Sequence, residues 1–283
     1  QKDFGIIFAK FSLNFMEGLI MNNIGLGIDP ISLFEKDCIE ETQKQSEDNL
    51  FKELSHKWLN HSWKNKYTYH FSWLGRPIIQ MPQDILALQE IIWKVKPDLI
   101  IETGIAHGGS VCLSASLLAL LEIDDLKKNP KSKLNRKVIG IDIDIRKHNK
   151  EKIEKHFLAD KIEMIEASSV EIKTFEKVEK ISKNYSKILV ILDSNHTEEH
   201  VLQELMLYGS LVSKNSYCIV FDTIISEMSP GFSNNRPWDR GNSPKTAINK
   251  FLKKDDNFIV DNSIDNILLI SMAPGGFLKK TLD

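Results

Sequence analysis

Five short apolar runs occur between residues 98 and 223, and helical patterns separate them along the chain. The runs are DLIIETG at 98–104, KVIGIDID at 137–144, KIEMIEAS at 161–168, KILVILDS at 187–194 and SYCIVFDT at 216–223. Apolar residues at helical spacing fill 84–95, 109–123, 146–157, 171–184 and 197–212. Runs that are apolar throughout indicate strands buried on both faces, and their alternation with helices is typical of β-α-β units. We therefore predict an α/β fold with a doubly wound, mostly parallel sheet.

Both ends of the chain depart from this alternation. FIVDNS at 258–263 and ILLISM at 267–272 predict a closing antiparallel pair of strands. Residues 1–75 are predicted to form a helical N-terminal extension, which leaves 76–283 as the main domain. Within the extension, the apolar segment 4–28 predicts a packing helix or an oligomer contact, with membrane-surface association as the lesser alternative.

Composition and charge exclude several classes of protein. The chain has 283 residues, 42% of them hydrophobic, and 37 basic against 39 acidic residues give a formal charge of −2. Neither half is strongly basic, so we expect no nucleic-acid partner. Three widely spaced cysteines, at 38, 112 and 218, indicate reduced thiols in a cytoplasmic protein. No apolar segment reaches the length of a membrane span, and no signal peptide is evident.

Polar side chains follow each of the five predicted strands. In parallel α/β sheets, ligands bind beyond the carboxyl ends of the strands, so these residues are the first candidates for a site. They are Glu102, Asp142, Asp144, Ser168, Asp193 and Asp222.

The loop ETGIAHGGS at 102–110 is neither a G-x-G-x-x-G nor a P-loop sequence. An acidic residue before a glycine turn suits a ligand that carries an ammonium or sulfonium group, although a plain strand-to-helix turn is the alternative. A carboxylate at Asp142, with Asp144 as the second choice, could accept hydrogen bonds from ribose hydroxyls. Ser168 follows on the next strand, where adenine would lie, so the order suggests an adenosine-bearing ligand.

Three stretches together resemble the cephalosporin hydroxylase-like family, which includes rhamnosyl O-methyltransferases. They are PDLIIETGIAHGGS at 97–110, GIDIDIR at 140–146 and LDSNHTEEHVLQELMLYGSLV at 192–212. The resemblance covers residues 70–280 and implies a class I methyltransferase, with a seven-stranded Rossmann-like sheet and S-adenosylmethionine as cofactor. It implies cofactor contacts to the methionine part, the ribose and the adenine, with Thr103 and Asp193 as further contacts. The implied residues are Glu102, Gly104, His107, Gly108, Gly109 and Ser110 for methionine, Asp142 for ribose and Ser168 for adenine.

The segment His196-Thr197-Glu198-Glu199-His200 also fits the H-x-x-E-H pattern of a zinc peptidase helix. That function needs both histidines on one face of a regular helix, whereas the preceding strand and a helix start near Asp193 place His196 in a loop or first turn. A metal-dependent hydrolase or an oxygenase that uses His196 and His200 is therefore the lesser alternative.

In the methyltransferase interpretation, Asp193 and Asp222 end neighbouring strands and could share Mg²⁺. His196 lies three residues past Asp193 and could take the acceptor proton near neutral pH. Related metal sites carry two adjacent acidic or amide residues where this chain has Phe221 and Asp222. Thr223 could supply the missing ligand, or the reaction could need no metal, or the protein could bind an adenosine ligand without catalysis.

The segment 224–246 is long and rich in Gly, Pro, Ser and Asn, which favours a lid over the site, with a mobile surface loop as the alternative. Its aromatic and charged side chains would suit a sugar. The candidate substrate contacts are Arg236, Trp238, Asp239 and Arg240, with Trp73, Arg76 and Gln80 as weaker candidates. We predict methylation of a hydroxyl on a sugar or glycosylated natural product, by a homo-oligomer.

Overall fold

The computed structural model describes residues 29–229 and 235–282. The described residues fall into two units, which divide between Lys52 and Glu53. In the first unit, helix α1 (Pro30–Glu47) begins after Asp29, whose side chain accepts a hydrogen bond from the Ser32 N–H at 3.1 Å. Helix α2 (Asn49–Lys64) begins in the first unit and continues past Lys52 into the second. The predicted apolar segment 4–28 lies outside the described residues, and the domain boundary after residue 75 stays a prediction.

The second unit holds the remaining elements. Its strands are β1 (Phe71–Trp73), β2 (Arg76–Ile78), β3 (Leu99–Thr103), β4 (Lys137–Asp142), β5 (Ile162–Glu166), β6 (Ile188–Leu192), β7 (Tyr217–Val220), β8 (Phe258–Val260) and β9 (Phe277–Lys280). Its further α-helices are α3 (Pro82–Val95), α4 (Gly109–Lys128), α5 (Lys147–Glu154), α6 (Ile172–Ser182), α7 (Glu198–Tyr208), α8 (Pro244–Phe251) and α9 (Asn262–Leu268). A 3₁₀ turn at Thr223–Glu227 follows β7.

Seven strands form one sheet in the order β5-β4-β3-β6-β7-β9-β8. The first five are parallel, and β9 runs antiparallel to both β7 and β8. Every residue of β3, β6 and β7 is buried, with Ile100 in one hydrophobic cluster and Leu99 and Ile101 in another. This burial on both faces explains the uninterrupted apolar runs. The predicted doubly wound, mostly parallel fold is confirmed.

The strand order places the candidate residues together. Beside β3, the chain continues to β4 and β5 on one side and to β6 and β7 on the other. Such a reversal opens a crevice beyond the carboxyl ends of the central strands. Gly104, Asp142, Asp193 and Asp222 all lie at or just beyond these strand ends.

The predicted strand pair at the end of the chain is wrong in one member. Strand β8 pairs with β9, whereas residues 267–272 hold the end of α9 and an irregular segment. Asp84 explains the irregular segment, because its buried carboxylate accepts hydrogen bonds from the Ser271 hydroxyl at 2.6 Å and the Met272 N–H at 2.8 Å. The apolar pattern of ILLISM therefore reflects packing in a loop, not a place in the sheet.

A short hairpin precedes the sheet and was not predicted. Strands β1 and β2 pair across a two-residue turn in which Leu74 and Gly75 both have positive φ, 47° and 83°. Such a turn matches the twist of a hairpin. Within the described part of the chain, no helix is both long enough and apolar enough to cross a bilayer.

Candidate active site

The glycines of the loop after β3 let the protein pack closely on itself. Gly104 has a φ of 90°, and a Cβ at this position would lie 2.1 Å from the Asp193 carbonyl oxygen. A Cβ on Gly109 would lie 2.3 Å from the Pro77 carbonyl oxygen. Gly108, with a φ of 86°, is the N-cap of α4. Gly104 therefore allows the chain after β6 to pack against the loop, and Gly109 allows the hairpin to do so, whatever ligand the loop also holds.

Arg76 and Asn149 stabilise this loop through hydrogen bonds to its backbone. Arg76 Nε donates to the His107 carbonyl oxygen at 2.9 Å, and its Nη2 donates to Asn149 Oδ1 at 2.9 Å. Asn149 Nδ2 in turn donates to the Ala106 carbonyl oxygen at 2.9 Å. Arg76, which was predicted to contact the substrate, thus contacts the backbone of the loop and Asn149. Asn149 was missed, because nothing in the charged sequence of α5 distinguishes it from its neighbours.

Asp142 meets the loop from the end of β4. Its Oδ2 accepts hydrogen bonds from the Ile105 N–H at 2.8 Å and the Ala106 N–H at 3.1 Å. Its Oδ1 accepts one from the N–H of the exposed Asp144 at 3.1 Å. A carboxylate offers about four acceptor positions, so it retains capacity for a further donor such as a ribose hydroxyl.

Glu102 and Thr103 lie beneath the loop instead of facing a cavity. Glu102 is 1% exposed, and burial raises the pKa of its carboxyl to about 7 although Ser114 donates to it at 3.2 Å. Glu102 Oε1 and Thr103 Oγ1 have no hydrogen-bond partner among the described residues. Neither side chain is part of the cavity wall beside the loop, and their role as cofactor contacts stays a prediction.

Asp193, His196 and Asp222 form a compact group, which we call the front cluster. Each offers one ligand atom, and these atoms lie within 4.8 Å of one another. His196 Nε2 lies 2.9 Å from Asp222 Oδ2, and Gln80 Nε2 donates to Asp193 Oδ2 at 3.0 Å. Burial raises the pKa of Asp193 well above its ordinary range, and the negative charge of Asp222 adds to this effect. Two carboxylates in one partly buried place favour a bound cation or a shared proton.

The backbone conformation at Asp222 places this residue in the front cluster, whereas its neighbours Phe221 and Thr223 make other contacts. Asp222 has a φ of 56°, a left-handed conformation that aspartate tolerates better than most residues and that often marks a functional position. Phe221 is only 2% exposed and belongs to the hydrophobic core. The Thr223 hydroxyl donates to the Pro274 carbonyl oxygen at 2.9 Å. Thr223 is therefore engaged away from the front cluster, and its role as a metal ligand stays a prediction.

A cavity of about 790 Å³ borders the front cluster. Its wall includes acidic, basic and aromatic side chains from both halves of the sheet edge. Those that matter here are Asp142, Asp144, His196, Asp222, Trp63, Tyr69, Trp238, Lys66, Arg146 and Arg236. A smaller cavity of about 40 Å³ lies against the loop after β3, with Gln80, Gly104, His107, Gly109, Ser110 and Asp193 in its wall. Neither wall contains Ser168, which follows β5.

The predicted substrate contacts divide into two groups. The Trp238 ring packs edge-on against the His196 ring with centroids 4.7 Å apart, and the Arg236 guanidinium lies 5.3 Å from the Trp238 ring. In contrast, Arg240 Nε donates to the Ser226 carbonyl oxygen at 3.0 Å, and Trp73 Nε1 donates to Ser116 Oγ at 3.0 Å. The backbone of Asp239 is hydrogen-bonded to that of Asn242.

His200 belongs to a different group, which we call the back cluster and which also contains Ser169, Ser194 and Glu204. His200 Nε2 lies 3.3 Å from Glu204 Oε1, 3.1 Å from Ser169 Oγ and 3.2 Å from Ser194 Oγ. Within the described part of the chain, the group that could hold a metal contains His196 but not His200. The two histidines therefore do not form the zinc site that the H-x-x-E-H pattern suggested.

The family model for Rhamnosyl O-methyltransferase/CmcI matches residues 65–281. The chain belongs to this family. The predicted class of enzyme, an S-adenosylmethionine-dependent O-methyltransferase, is thereby confirmed.

Two sequence relatives are each named rhamnosyl O-methyltransferase. The protein of Mycobacterium tuberculosis (strain ATCC 25618 / H37Rv) is 27% identical over 238 residues, which cover 79% of this chain and 82% of the relative. The protein of Mycobacterium leprae (strain TN) is 26% identical over 189 residues, which cover 66% and 73%.

Solved structures of CmcI share the fold. The apo structure has a TM-score of 0.53 at 17% identity and covers 76% of this chain and 78% of CmcI. A structure of CmcI with Mg and SAM has a TM-score of 0.50 at 18% identity, with the same shares of the two chains.

Proposed function

We propose that the enzyme transfers the methyl group of S-adenosylmethionine to a hydroxyl of a sugar or a sugar-bearing natural product. The observation that carries this proposal is that Asp142 and two members of the front cluster, His196 and Asp222, border one cavity of about 790 Å³. A cofactor held on the Asp142 side would therefore lie beside an acceptor held on the His196 side. The names of the mycobacterial relatives support a deoxysugar of the rhamnose type as the acceptor.

The cofactor would occupy the edge of the sheet between β3 and β4. The small cavity beside Gly104 and Ser110 suits the methionine part, since backbone and hydroxyl groups line it. The unused acceptor capacity of Asp142 suits the ribose hydroxyls. The exposed Ile143, between two cavity-lining aspartates, would then face the adenine.

The front cluster fits a divalent cation by its donor set. Asp193 and Asp222 offer the carboxylate oxygens that Mg²⁺ prefers, within 4.8 Å of each other and of the His196 imidazole. The raised pKa of Asp193 reflects burial and then the charge of Asp222, which a cation would offset. When bound, the cation would lower the pKa of an acceptor hydroxyl near it.

His196 would take the proton of the acceptor hydroxyl. The acceptor oxygen bonds to the methyl carbon as the carbon–sulfur bond breaks, and the hydroxyl proton passes to the imidazole. Burial alone would lower the pKa of His196, but the charge and hydrogen bond of Asp222 outweigh burial and raise it. Asp222 therefore stabilises the imidazolium, while the Trp238 ring at 4.7 Å restricts the orientation of the imidazole.

Calorimetric titration of S-adenosylmethionine, first with EDTA and then with Mg²⁺, tests the cofactor site. We expect saturable binding, followed by methylation of a rhamnoside but not of a simple phenol, although the phenol hydroxyl is the more acidic of the two. A protein that binds the cofactor and methylates only the phenol would contradict the sugar acceptor. Absence of binding under both conditions would contradict the whole proposal.

A further inference from the structure

The back cluster joins two loops through one buried carboxylate. Glu204, on α7, is fully buried, and its Oε1 accepts hydrogen bonds from Ser169 Oγ at 2.6 Å and Ser194 Oγ at 2.7 Å. Its Oε2 has no hydrogen-bond partner among the described residues. Tyr208, one turn further along α7, donates its hydroxyl to the Ser169 carbonyl oxygen at 2.7 Å. A single oxygen of Glu204 therefore holds both serines.

The protons in this cluster have one consistent arrangement. If each serine hydroxyl gives its hydrogen to Glu204, only lone pairs remain to face His200 Nε2, so that nitrogen carries a hydrogen. All three contacts of His200 are made by Nε2. A nucleophilic Ser-His-Glu triad uses both ring nitrogens, so this geometry is not that of a hydrolase.

The two serines come from distant parts of the sheet edge. Ser169 follows β5 and Ser194 follows β6, and the strands β4 and β3 lie between these two strands. Since adjacent strands are about 4.8 Å apart, the loops bridge roughly 14 Å of sheet edge to reach Glu204. The strands between them end at Asp142 and Thr103, where the proposed adenosine site lies.

We propose that Glu204 is a positioning residue, supported by His200, that fixes the two loops on either side of the adenosine end of the cofactor. This inference rests on the proposed location of the cofactor. The hydrogen-bond and ion-pair partners of Glu204 are Ser169, Ser194 and His200, none of which belongs to the front cluster. Glu204 acts through Ser194, which lines the large cavity and directly follows Asp193.

The test compares Glu204→Leu with Glu204→Gln, using calorimetry with S-adenosylmethionine and with 5′-methylthioadenosine, which lacks the amino-acid part. Glutamine retains one oxygen that can accept from both serines, so we expect Kd within about threefold of wild type. Leucine leaves both hydroxyls without an acceptor, and we expect Kd for both ligands to rise by a similar factor, about tenfold. Ser169→Ala, which removes one hydroxyl with little risk to folding, should raise both Kd values about threefold.

Tyr217→Phe is the matched control for lost stability, because it removes a buried hydroxyl bond to Asp261 at 2.7 Å, remote from the cleft. It should lower Tm without changing either Kd. The proposal is overturned if Glu204→Leu and Ser169→Ala lower Tm but bind both ligands like wild type. It is also overturned if Glu204→Gln binds as weakly as Glu204→Leu, or if only S-adenosylmethionine binding suffers. If wild type binds neither ligand, the proposed function fails as well.

Discussion

The front and back clusters use similar residues in opposite ways. The front cluster combines two carboxylates with one histidine beside an open cavity, and its carboxylates destabilise each other. The back cluster combines one carboxylate with one histidine and two hydroxyls, largely buried behind Ser194. Carboxylates that lack enough hydrogen-bond donors are suited to bind a ligand such as a cation. A carboxylate whose donors come from the protein itself is suited to stabilise the local structure.

One short segment, residues 193–200, contributes side chains to both clusters. Asp193 and His196 belong to the front cluster, whereas Ser194 and His200 contact Glu204 in the back cluster. Neighbouring residues at a strand end thus belong to different clusters, and a motif five residues long does not imply one site.

Replacing the front histidine should have the largest effect. His196→Ala should lower kcat by about 10²- to 10⁴-fold, because the acceptor proton loses its base, while the Kd of S-adenosylmethionine changes less than about threefold. Steady-state kinetics and calorimetry measure the two quantities. His148→Ala, at an exposed histidine of α5, is the control. Equal losses of kcat in His196→Ala and His200→Ala would remove the distinction between the clusters.

Neutralising a carboxylate of the front cluster should have the next largest effect, because it weakens binding of the cation. Asp222→Asn should raise the Mg²⁺ concentration for half-maximal activity by about 10- to 100-fold, since it removes a charged ligand and the partner of His196. Asp124→Asn, at a carboxylate paired with Lys96 and Lys128, should leave that concentration unchanged. An unchanged Mg²⁺ dependence in Asp222→Asn would show that the front cluster is not the metal site.

A methyl group at Gly104 should disturb the front cluster through the backbone. Gly104→Ala places a Cβ against the Asp193 carbonyl oxygen at a φ of 90°, so we expect a loss of roughly 2–4 kcal/mol in the free energy of unfolding. Urea denaturation measures this loss. Gly241→Ala, where a Cβ meets nothing within 4 Å, is the matched control. A loss below that of the control would contradict the close approach of β6.

Asp84 provides a buried carboxyl outside both clusters, and its effect should appear in the pH dependence of stability. Burial raises its pKa to about 7 from an ordinary value of 3.8, so its contribution to stability is full below pH 4 and is lost as pH rises through 7. Wild type should therefore lose more stability than Asp84→Asn between pH 5 and pH 8. Urea unfolding at both pH values measures the difference.

Asp261→Asn is the control for that titration. Although burial acts in the opposite direction, hydrogen bonds from Ser263 and Tyr217 lower the pKa of Asp261, so its contribution is lost only as pH falls through the acidic range. The difference in the free energy of unfolding between Asp261→Asn and wild type should therefore stay constant between pH 5 and pH 8. A parallel pH dependence of wild type and Asp84→Asn would mean that Asp84 titrates normally.

The sequence by itself determined the five parallel strands, the acidic residues at their ends and the family. These features are local, since burial on both faces makes a strand apolar along its length and the site residues follow directly. The grouping of Asp193, His196 and Asp222 also followed, because adjacent parallel strands end at the same edge.

Only the tertiary structure decided how the remaining polar residues pair. Arg76 with Asn149, Asp84 with Met272 and Ser169 with Glu204 are contacts between residues 73, 188 and 35 positions apart. Hydrophobic periodicity reports that a position is buried but not which distant group meets it. For the same reason, the sequence predicted neither the burial of the Glu102 side chain beneath the loop nor the contact of His200 with Ser169, 31 residues away.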